Sequence, residues 1–558
     1  MDLMSLILTL LVVGVAWYLT DTYVPLSRPV KVIIRVLFVI VIIVIQFRGF
    51  ANVRLLAQTP PAAAKQAPPI DPPPVVENIV RPGESLQAAI NAAAPGATLL
   101  LMPGGVYPGG VRIPKAITIK PTTWAMPEGQ RVANSASEVA TVKARMPQIT
   151  VTANQPAFDI TGSNVTLRGI AMLGDVDTMV LCGHGDSSQT TLEQVPRTIV
   201  FDQVVIEGNA VPSSGSLKRG IGLHCAEASI TNSAIHQTTR KGQDSQTIGG
   251  WNGPGPYTIR NNYLSGGAET IMFGGAAPAI PQTVAADILI EGNTLTFPIE
   301  LKATRGVRKN IFELKAAKRV TVRNNLLENA WADAQAGWCI VLTPSQGSGS
   351  GGFTEAVVED VLIEHNEIRT CGGVFNILGR SQSHDTHPTL PSQRITIRDN
   401  WIHGVDTKLG AHGSLIQIGG APTDLVMEWN TIEANGTAFL RKSDSVPARG
   451  FKFTGNLVQV GGTYGSFLAS VARCASMDLH FPDGDTTAVR NVVENAFIAG
   501  HPTFRTNCPT NTYVATCTYA TGTTCAIPPD LIVGGYGTGE VAGFGRRRLP
   551  SRAVPKLH

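Results

Sequence analysis

Ile288-Leu289-Ile290-Glu291-Gly292-Asn293, Val320-Thr321-Val322-Arg323-Asn324-Asn325, Val361-Leu362-Ile363-Glu364-His365-Asn366 and Ile395-Thr396-Ile397-Arg398-Asp399-Asn400 are four copies of one phrase. Leu425-Val426-Met427-Glu428-Trp429-Asn430 and Phe451-Lys452-Phe453-Thr454-Gly455-Asn456 continue it. Each is a short apolar or β-branched run closed by Asn, and the intervals between these asparagines are 32, 41, 34, 30 and 26 residues. A repeat of that length marks a solenoid, and strand-forming runs between Gly/Asn turns make its units β coils rather than helical pairs. Asn suits a corner twice over. It adopts left-handed backbone at little cost, and amides stacked coil upon coil can hydrogen-bond as a ladder. Asn209, Asn232, Asn262 and Asn495 fit the same slot with looser flanks. The expected fold is all-β, a right-handed parallel β-helix with Asn293, Asn325, Asn366, Asn400 and Asn430 at one corner.

A second strand precedes each of these. Examples are Glu269-Thr270-Ile271-Met272-Phe273, Ile311-Phe312-Glu313-Leu314-Lys315, Cys339-Ile340-Val341-Leu342-Thr343, Val374-Phe375-Asn376-Ile377-Leu378 and Leu415-Ile416-Gln417-Ile418-Gly419. Strict alternation with Ile271 and Phe273 inward places Thr270, Met272, Glu313, Lys315, Val341, Thr343, Asn376 and Gln417 outward. With coils ~4.8 Å apart these form one polar stripe, the kind of surface a solenoid offers to a chain-like ligand. The segments joining the two strands range from residues 316–319 to 344–359 and 380–393. Loops on that edge therefore carry the variation, and function is expected beside them.

The N-terminus is different. Residues 3–19 and 32–45 are apolar runs, the second interrupted by Arg35, and no signal-peptide cleavage pattern follows Met1-Asp2. One or two transmembrane helices are expected in residues 1–50, with the lipid bilayer as partner. Arg28, Lys31 and Arg35 lean towards a cytoplasmic loop, which places the β-helix in the periplasm or outside the cell. The run, Tyr23-Val24-Pro25, the basic residues and the second run together resemble a family of very small two-span bacterial membrane proteins. Residues 51–78 form a proline-rich spacer, 79–502 the β-helix, and 503–558 an irregular region with cysteines and a basic tail.

Ser85-Leu86-Gln87-Ala88-Ala89-Ile90-Asn91-Ala92-Ala93 reads as a capped helix closing the first coil, followed by the strands Ala97-Thr98-Leu99-Leu100-Leu101 and Ala116-Ile117-Thr118-Ile119-Lys120. This opening resembles right-handed parallel β-helix proteins of the pectate-lyase type over residues 79–500. Trp251-Asn252-Gly253-Pro254-Gly255-Pro256-Tyr257, Met272-Phe273-Gly274-Gly275-Ala276, Ile311-Phe312-Glu313-Leu314-Lys315, Asn329-Ala330-Trp331-Ala332-Asp333-Ala334-Gln335 and Leu342-Thr343-Pro344 look like phrases of one bacterial β-helix family. That resemblance implies the fold and no particular reaction.

Composition agrees with a turn-rich solenoid: 57 Gly in 558 residues, with 15% charged and 6% aromatic. The net charge is +4, and Arg546, Arg547, Arg548, Arg552 and Lys556 account for it. The body is nearly neutral, which argues against a nucleic-acid partner. No C-x-x-C pair occurs among the 8 cysteines, so a zinc site is not expected. Cys182, Cys225, Cys339 and Cys371 read as core residues, and a disulfide is expected among Cys474, Cys508, Cys517 and Cys525.

The chemistry points to polysaccharide, as glycoside hydrolysis or as lyase action, with no cofactor. Glu313, Lys315 and Glu269 are the candidate catalytic residues, since carboxylates on neighbouring coils supply acid and base for hydrolysis. In a lyase a lysine would serve as base or neutralise a uronate. Asp244, Trp251, Trp331, Asp333, Asn376, Arg380 and Gln417 are candidates for holding the chain, the two tryptophans by stacking. The alternatives are a non-catalytic glycan-binding or adhesion module and a structural stalk, with Glu313–Lys315 then a plain surface ion pair. Gly183-His184-Gly185 is similar to a polygalacturonase triplet, but the Asn-Thr-Asp, Asp-Asp and Arg-Ile-Lys motifs of that family are missing. His384, Asp385 and His387 share a polar loop, read as solvated rather than metal-binding.

Overall fold

The computed structural model describes residues 78–461 except 152–153, 300–301, 303–306, 346–354, 381–388, 436–437 and 445, together with strands Ser466–Leu468, Val492–Glu494 and Thr512–Val514. These belong to the second of two units, Met1–Val76 and Glu77–His558. The two apolar runs, most of the proline-rich spacer, the loop holding His384 to His387, Asn495, the four C-terminal cysteines and the basic tail lie outside the described residues.

The described chain is a parallel β-helix of three sheets, in which each strand pairs with its counterparts in the neighbouring coils. The first sheet carries the Asn-closed strands, among them Ala285–Glu291, Ala317–Arg323, Val358–Glu364, Gln393–Arg398 and Thr423–Glu428. After the Asn the chain enters the third sheet (Thr294–Thr296, Leu326–Ala330, Glu367–Cys371, Trp401–Asp406). It then enters the second (Arg219–Leu223, Gln246–Gly250, Glu269–Phe273, Asn310–Leu314, Trp338–Leu342, Gly373–Leu378, Ile416–Gly419). Aliphatic and phenyl side chains from all three fill the interior, and Phe273, Phe312 and Phe375 are completely buried.

The asparagines do stack at one corner. The ladder runs Asn262, Asn293, Asn325, Asn366, Asn400, Asn430, Asn456. The backbone N–H and the side-chain amide of each donate to Oδ1 of the next, at 2.8–3.1 Å. Each amide also donates to a first-sheet carbonyl of the preceding coil, as Asn366 does to Val322 at 2.9 Å. The left-handed turn, however, belongs to the residue before: Asn261, Gly292, Asn324, His365, Asp399, Trp429 and Gly455 have φ between 54° and 66°. Bending the corner and pairing it are thus divided between two neighbours. A non-glycine at the bend costs roughly 1–2 kcal/mol, which the ladder beside it offsets. Asn232 occupies the bend (φ 55°), with Ser233 in the ladder slot, and Asn209 is bound to Asp175 away from the ladder.

Helix α1 (Leu86–Ala92) covers the first coil as expected. Ser85 caps it by accepting from the Ala88 N–H, Leu86 and Ile90 are buried, and Lys115 donates to the Ala93 carbonyl. Helix α2 (Ala136–Lys143) was not anticipated. Its Val139 and Val142 pack on Ala171, Val205, Ala234 and Tyr263, covering the outer face of the third sheet. Two buried residues in eight are too short a period to read as an amphipathic helix.

The four described cysteines correct the sequence reading. They are buried, yet bonded in pairs: Cys182–Cys225 between successive coils, and Cys339–Cys371 between the second and third sheets, with Cα separations of 5.3 and 5.8 Å. Spacing along the chain does not reveal which core positions face each other across coils. Cys182 and Cys225 close a loop across a separation of 43 residues. Replacing both with Ala is expected to lower unfolding free energy by about 2–4 kcal/mol and to shrink the response of the melting curve to reductant. An unchanged response would show the bridge does not form.

Candidate active site

Second-sheet strands open with a step that strict alternation misses. Two consecutive residues turn inward: Gly220-Ile221, Thr247-Ile248, Thr270-Ile271, Ile311-Phe312, Cys339-Ile340, Val374-Phe375 and Leu415-Ile416, all buried. A Cβ on Gly220 would lie 2.6 Å from the Ile235 side chain in the core, which fixes the direction. Outward residues therefore fall three apart, in two ranks. The first rank pairs Arg219 with Gln246, Gln246 with Glu269, and Glu269 with Asn310. The second runs Gly222, Gly249, Met272, Glu313, Val341, Asn376, Gln417. Thr270 accordingly faces inward, donating to the Gly266 carbonyl, and not into the stripe.

The step brings Glu269 and Glu313 into one charged cluster. Glu269 is 1% exposed; its Oε2 accepts from Gln246 Nε2 at 2.9 Å, and its Oε1 lies 3.4 Å from Lys309 Nζ. Lys309 also hydrogen-bonds Asp244, whose side chain is half exposed. Gln246 Oε1 accepts from Arg219 Nε and Nη2 at 3.1 and 2.9 Å. Glu313 Oε2 accepts from Asn310 Nδ2 at 3.1 Å. Its Oε1 lies 2.8 Å from Lys315 Nζ, within ion-pair range but off a hydrogen-bonding angle.

Burial, then the charges of Glu313 and Asp244, push the Glu269 carboxyl up to about 7, against the opposing pull of Lys309 and Gln246. For Lys309 the order is reversed. Burial pulls it down, but Glu269 and Asp244 outweigh burial and hold it above its ordinary value. Burial lowers Arg219 to about 10, still charged at neutral pH. Linkage gives the sign for Glu269: its folded value exceeds its ordinary 4.5, so the native state binds the extra proton between the two. Stability from this group falls as pH rises from about 4.5 to about 7, the reverse of an ordinary paired carboxylate.

Of the residues singled out from sequence, Asp244, Glu269, Glu313 and Lys315 come together. Asn376 and Gln417 lie further along the same rank, joined at 3.2 Å. Arg380 is exposed just after the strand Gly373–Leu378. Trp251 lies at the N-terminal side, with the Arg219 guanidinium 4.9 Å from its ring centroid, His224 against it, and Nε1 donating to the Gly185 carbonyl. Trp331 is a correction: it is 2% exposed and packs edge-on to Phe297 beside the buried Arg308, so its ring is not offered to a sugar. Asp333 is exposed and accepts the Arg308 N–H at 2.9 Å. Lys309, Arg219 and Asn310 were missed. The only sequence signal is the polar run Arg308-Lys309-Asn310 abutting a strand.

A family model described as a membrane protein matches residues 2–51. No curated protein matches the chain. Solved structures similar to it include a mannuronic-acid-specific family 6 polysaccharide lyase from human gut microbiota (12% identity, TM-score 0.49, 78% of this chain and 90% of that one). A family 28 exopolygalacturonase of Yersinia enterocolitica is similar at 11% identity and TM-score 0.36, over 69% of this chain and 73% of that one. The tailspike of E. coli bacteriophage HK620 is similar at 12% identity and TM-score 0.38, over 77% and 74%.

Proposed function

We propose that the protein is a membrane-tethered, extracytoplasmic enzyme that cleaves a polysaccharide laid across the outward face of the second sheet, with Glu269 carrying the proton. One observation carries this reading: a buried carboxyl held at about 7 among Lys309, Gln246 and Glu313, on a face with a second carboxylate one coil away. A group with that affinity both gives and takes a proton at neutral pH. In hydrolysis Glu269 protonates the departing glycosidic oxygen and Glu313 serves as the second carboxylate. In a lyase reaction Glu269 takes the proton beside a uronate carboxyl, whose charge Arg219 and Lys309 balance. Asn376, Arg380 and Gln417 extend the same face as contacts for further sugar units. The apolar runs, the match over residues 2–51 and the proline-rich spacer support tethering, and two disulfides suit an oxidising compartment.

The near-complete burial of Glu269 and Glu313 supports a second reading, an ion network that only stiffens a stalk or a glycan-binding module. Incubating the full chain with neutral and uronate-containing polysaccharides separates these. Reducing ends without unsaturated uronide indicate a hydrolase, and both together a lyase. Binding without product indicates a glycan-binding module, and neither product nor binding a stalk.

A further inference from the structure

We propose that Ser188, His184 and Asp159 form a second catalytic site, a serine esterase acting on O-acyl esters. His184 joins the other two: Nε2 lies 2.7 Å from Asp159 Oδ1, and Nδ1 lies 2.5 Å from Ser188 Oγ. Nucleophile, base and orienting carboxylate are thus in hydrogen-bonding sequence, the relationship that activates a hydroxyl. Either imidazole nitrogen can act as base when the other donates to a carboxylate, so an Nε2–H given to Asp159 leaves Nδ1 to take a proton.

The loop is built rather than loose. Gln189 Oε1 accepts the His184 N–H at 3.0 Å, and Gln189 Nε2 donates to the carbonyls of His224 and Asn252 at 2.8 and 3.2 Å. Asn252 Nδ2 donates to the carbonyls of His184 and Gln189 at 2.8 and 2.9 Å, and Trp251 Nε1 to Gly185 at 2.8 Å. The disulfide Cys182–Cys225 ties the strand that leads into the loop to the next coil. Ser188 itself is exposed, so a bulky ester can reach it. Between base and nucleophile, the amides of Gly185, Asp186 and Ser187 donate to no group among the described residues.

Ser188 Oγ also lies 2.6 Å from Asp186 Oδ1, a competing acceptor. The Ser188 amide donates to the same oxygen at 2.9 Å, so Asp186 keeps a donor when the hydroxyl turns to His184. Imidazole is a stronger base than carboxylate, and His184 receives the proton. Ser188 Oγ bonds to the acyl carbon as its proton passes to His184 Nδ1. The ester C–O bond breaks, and the alcohol leaves with that proton. Water then attacks the acyl-serine, giving one proton to His184; the carboxylic acid departs and Ser188 regains its hydrogen.

Asp159 pairs with Leu181 in the strand that leads to Gly222 and so to the second rank. The esterase site therefore shares its sheet face with the cluster around Glu269, and an acylated polysaccharide would meet both. That substrate rests on the reading above; the chemistry does not, so its test needs no polysaccharide. The full chain is treated with a fluorophosphonate probe and, separately, p-nitrophenyl acetate. The expected results are one phosphonyl group on Ser188 by peptide mass spectrometry, and ester hydrolysis reduced a hundredfold or more in Ser188→Ala. His184→Gln should slow labelling similarly while its melting curve matches wild type. Labelling no greater than in Ser188→Ala, or labelling that persists in His184→Gln, overturns the proposal.

Discussion

Asn366→Ala should lower the unfolding free energy by about 4–6 kcal/mol, more than a typical core truncation of similar size. The substitution removes the Oδ1 that accepts both the backbone and side-chain N–H of Asn325, and the amide that donates to the carbonyls of Val322 and Glu364. Five buried groups lose a partner, since Asn400 Oδ1 also accepts from the deleted amide, and each costs roughly 1–3 kcal/mol when water cannot reach it. Asn209→Ala is the control, since that residue is exposed and bound to Asp175 away from the ladder. Its change should stay within about 1 kcal/mol. Chemical denaturation of both variants measures the contrast, and equal losses would mean the ladder contributes nothing special.

The second large effect is pH-dependent. Lys309→Met keeps the buried stem of the side chain and deletes the charge between Asp244 and Glu269. An uncompensated buried carboxylate costs about 3–5 kcal/mol, but only while it is ionised. Glu269, already raised to about 7, escapes the penalty by taking a proton. The variant should therefore lose little at pH 5 and several kcal/mol at pH 8, and adding Glu269→Gln should restore most of the loss. Melting curves at both pH values decide it; equal losses at pH 5 and pH 8 would contradict a raised Glu269.

The fold was legible because its signal is repeated. Six Asn-closed phrases imposed one period, and burial confirmed the inward set of Ile271, Phe273, Phe312, Leu314, Ile340, Leu342, Phe375 and Ile377. The division of labour at the corner was not legible. Trp429 and His365 in left-handed backbone contradict local preference and are held there by the ladder beside them. Half of the charged cluster was visible as Glu269, Glu313, Lys315 and Asp244. The rest was hidden by the step at the strand starts. Thr270-Ile271 and Ile311-Phe312 both turn inward, which alternation cannot express, and so Asn310 and Arg219 reached the outward face unnoticed. Trp331 failed for another reason: exposure of an aromatic in a connecting segment depends on what the neighbouring coil packs against it, here Phe297 and Arg308.

Proton transfer between Glu269 and a bound polysaccharide is tested by Glu269→Gln, assayed for turnover and melting on the same preparation. The substitution keeps the shape and removes the titration. Product release should fall by about 10²–10⁴-fold, while the melting temperature at pH 8 should be equal to or above that of wild type, because the cost of ionising a buried acid is gone. Unchanged turnover with a lowered melting temperature would contradict it, and would make Glu269 part of a structural ion network.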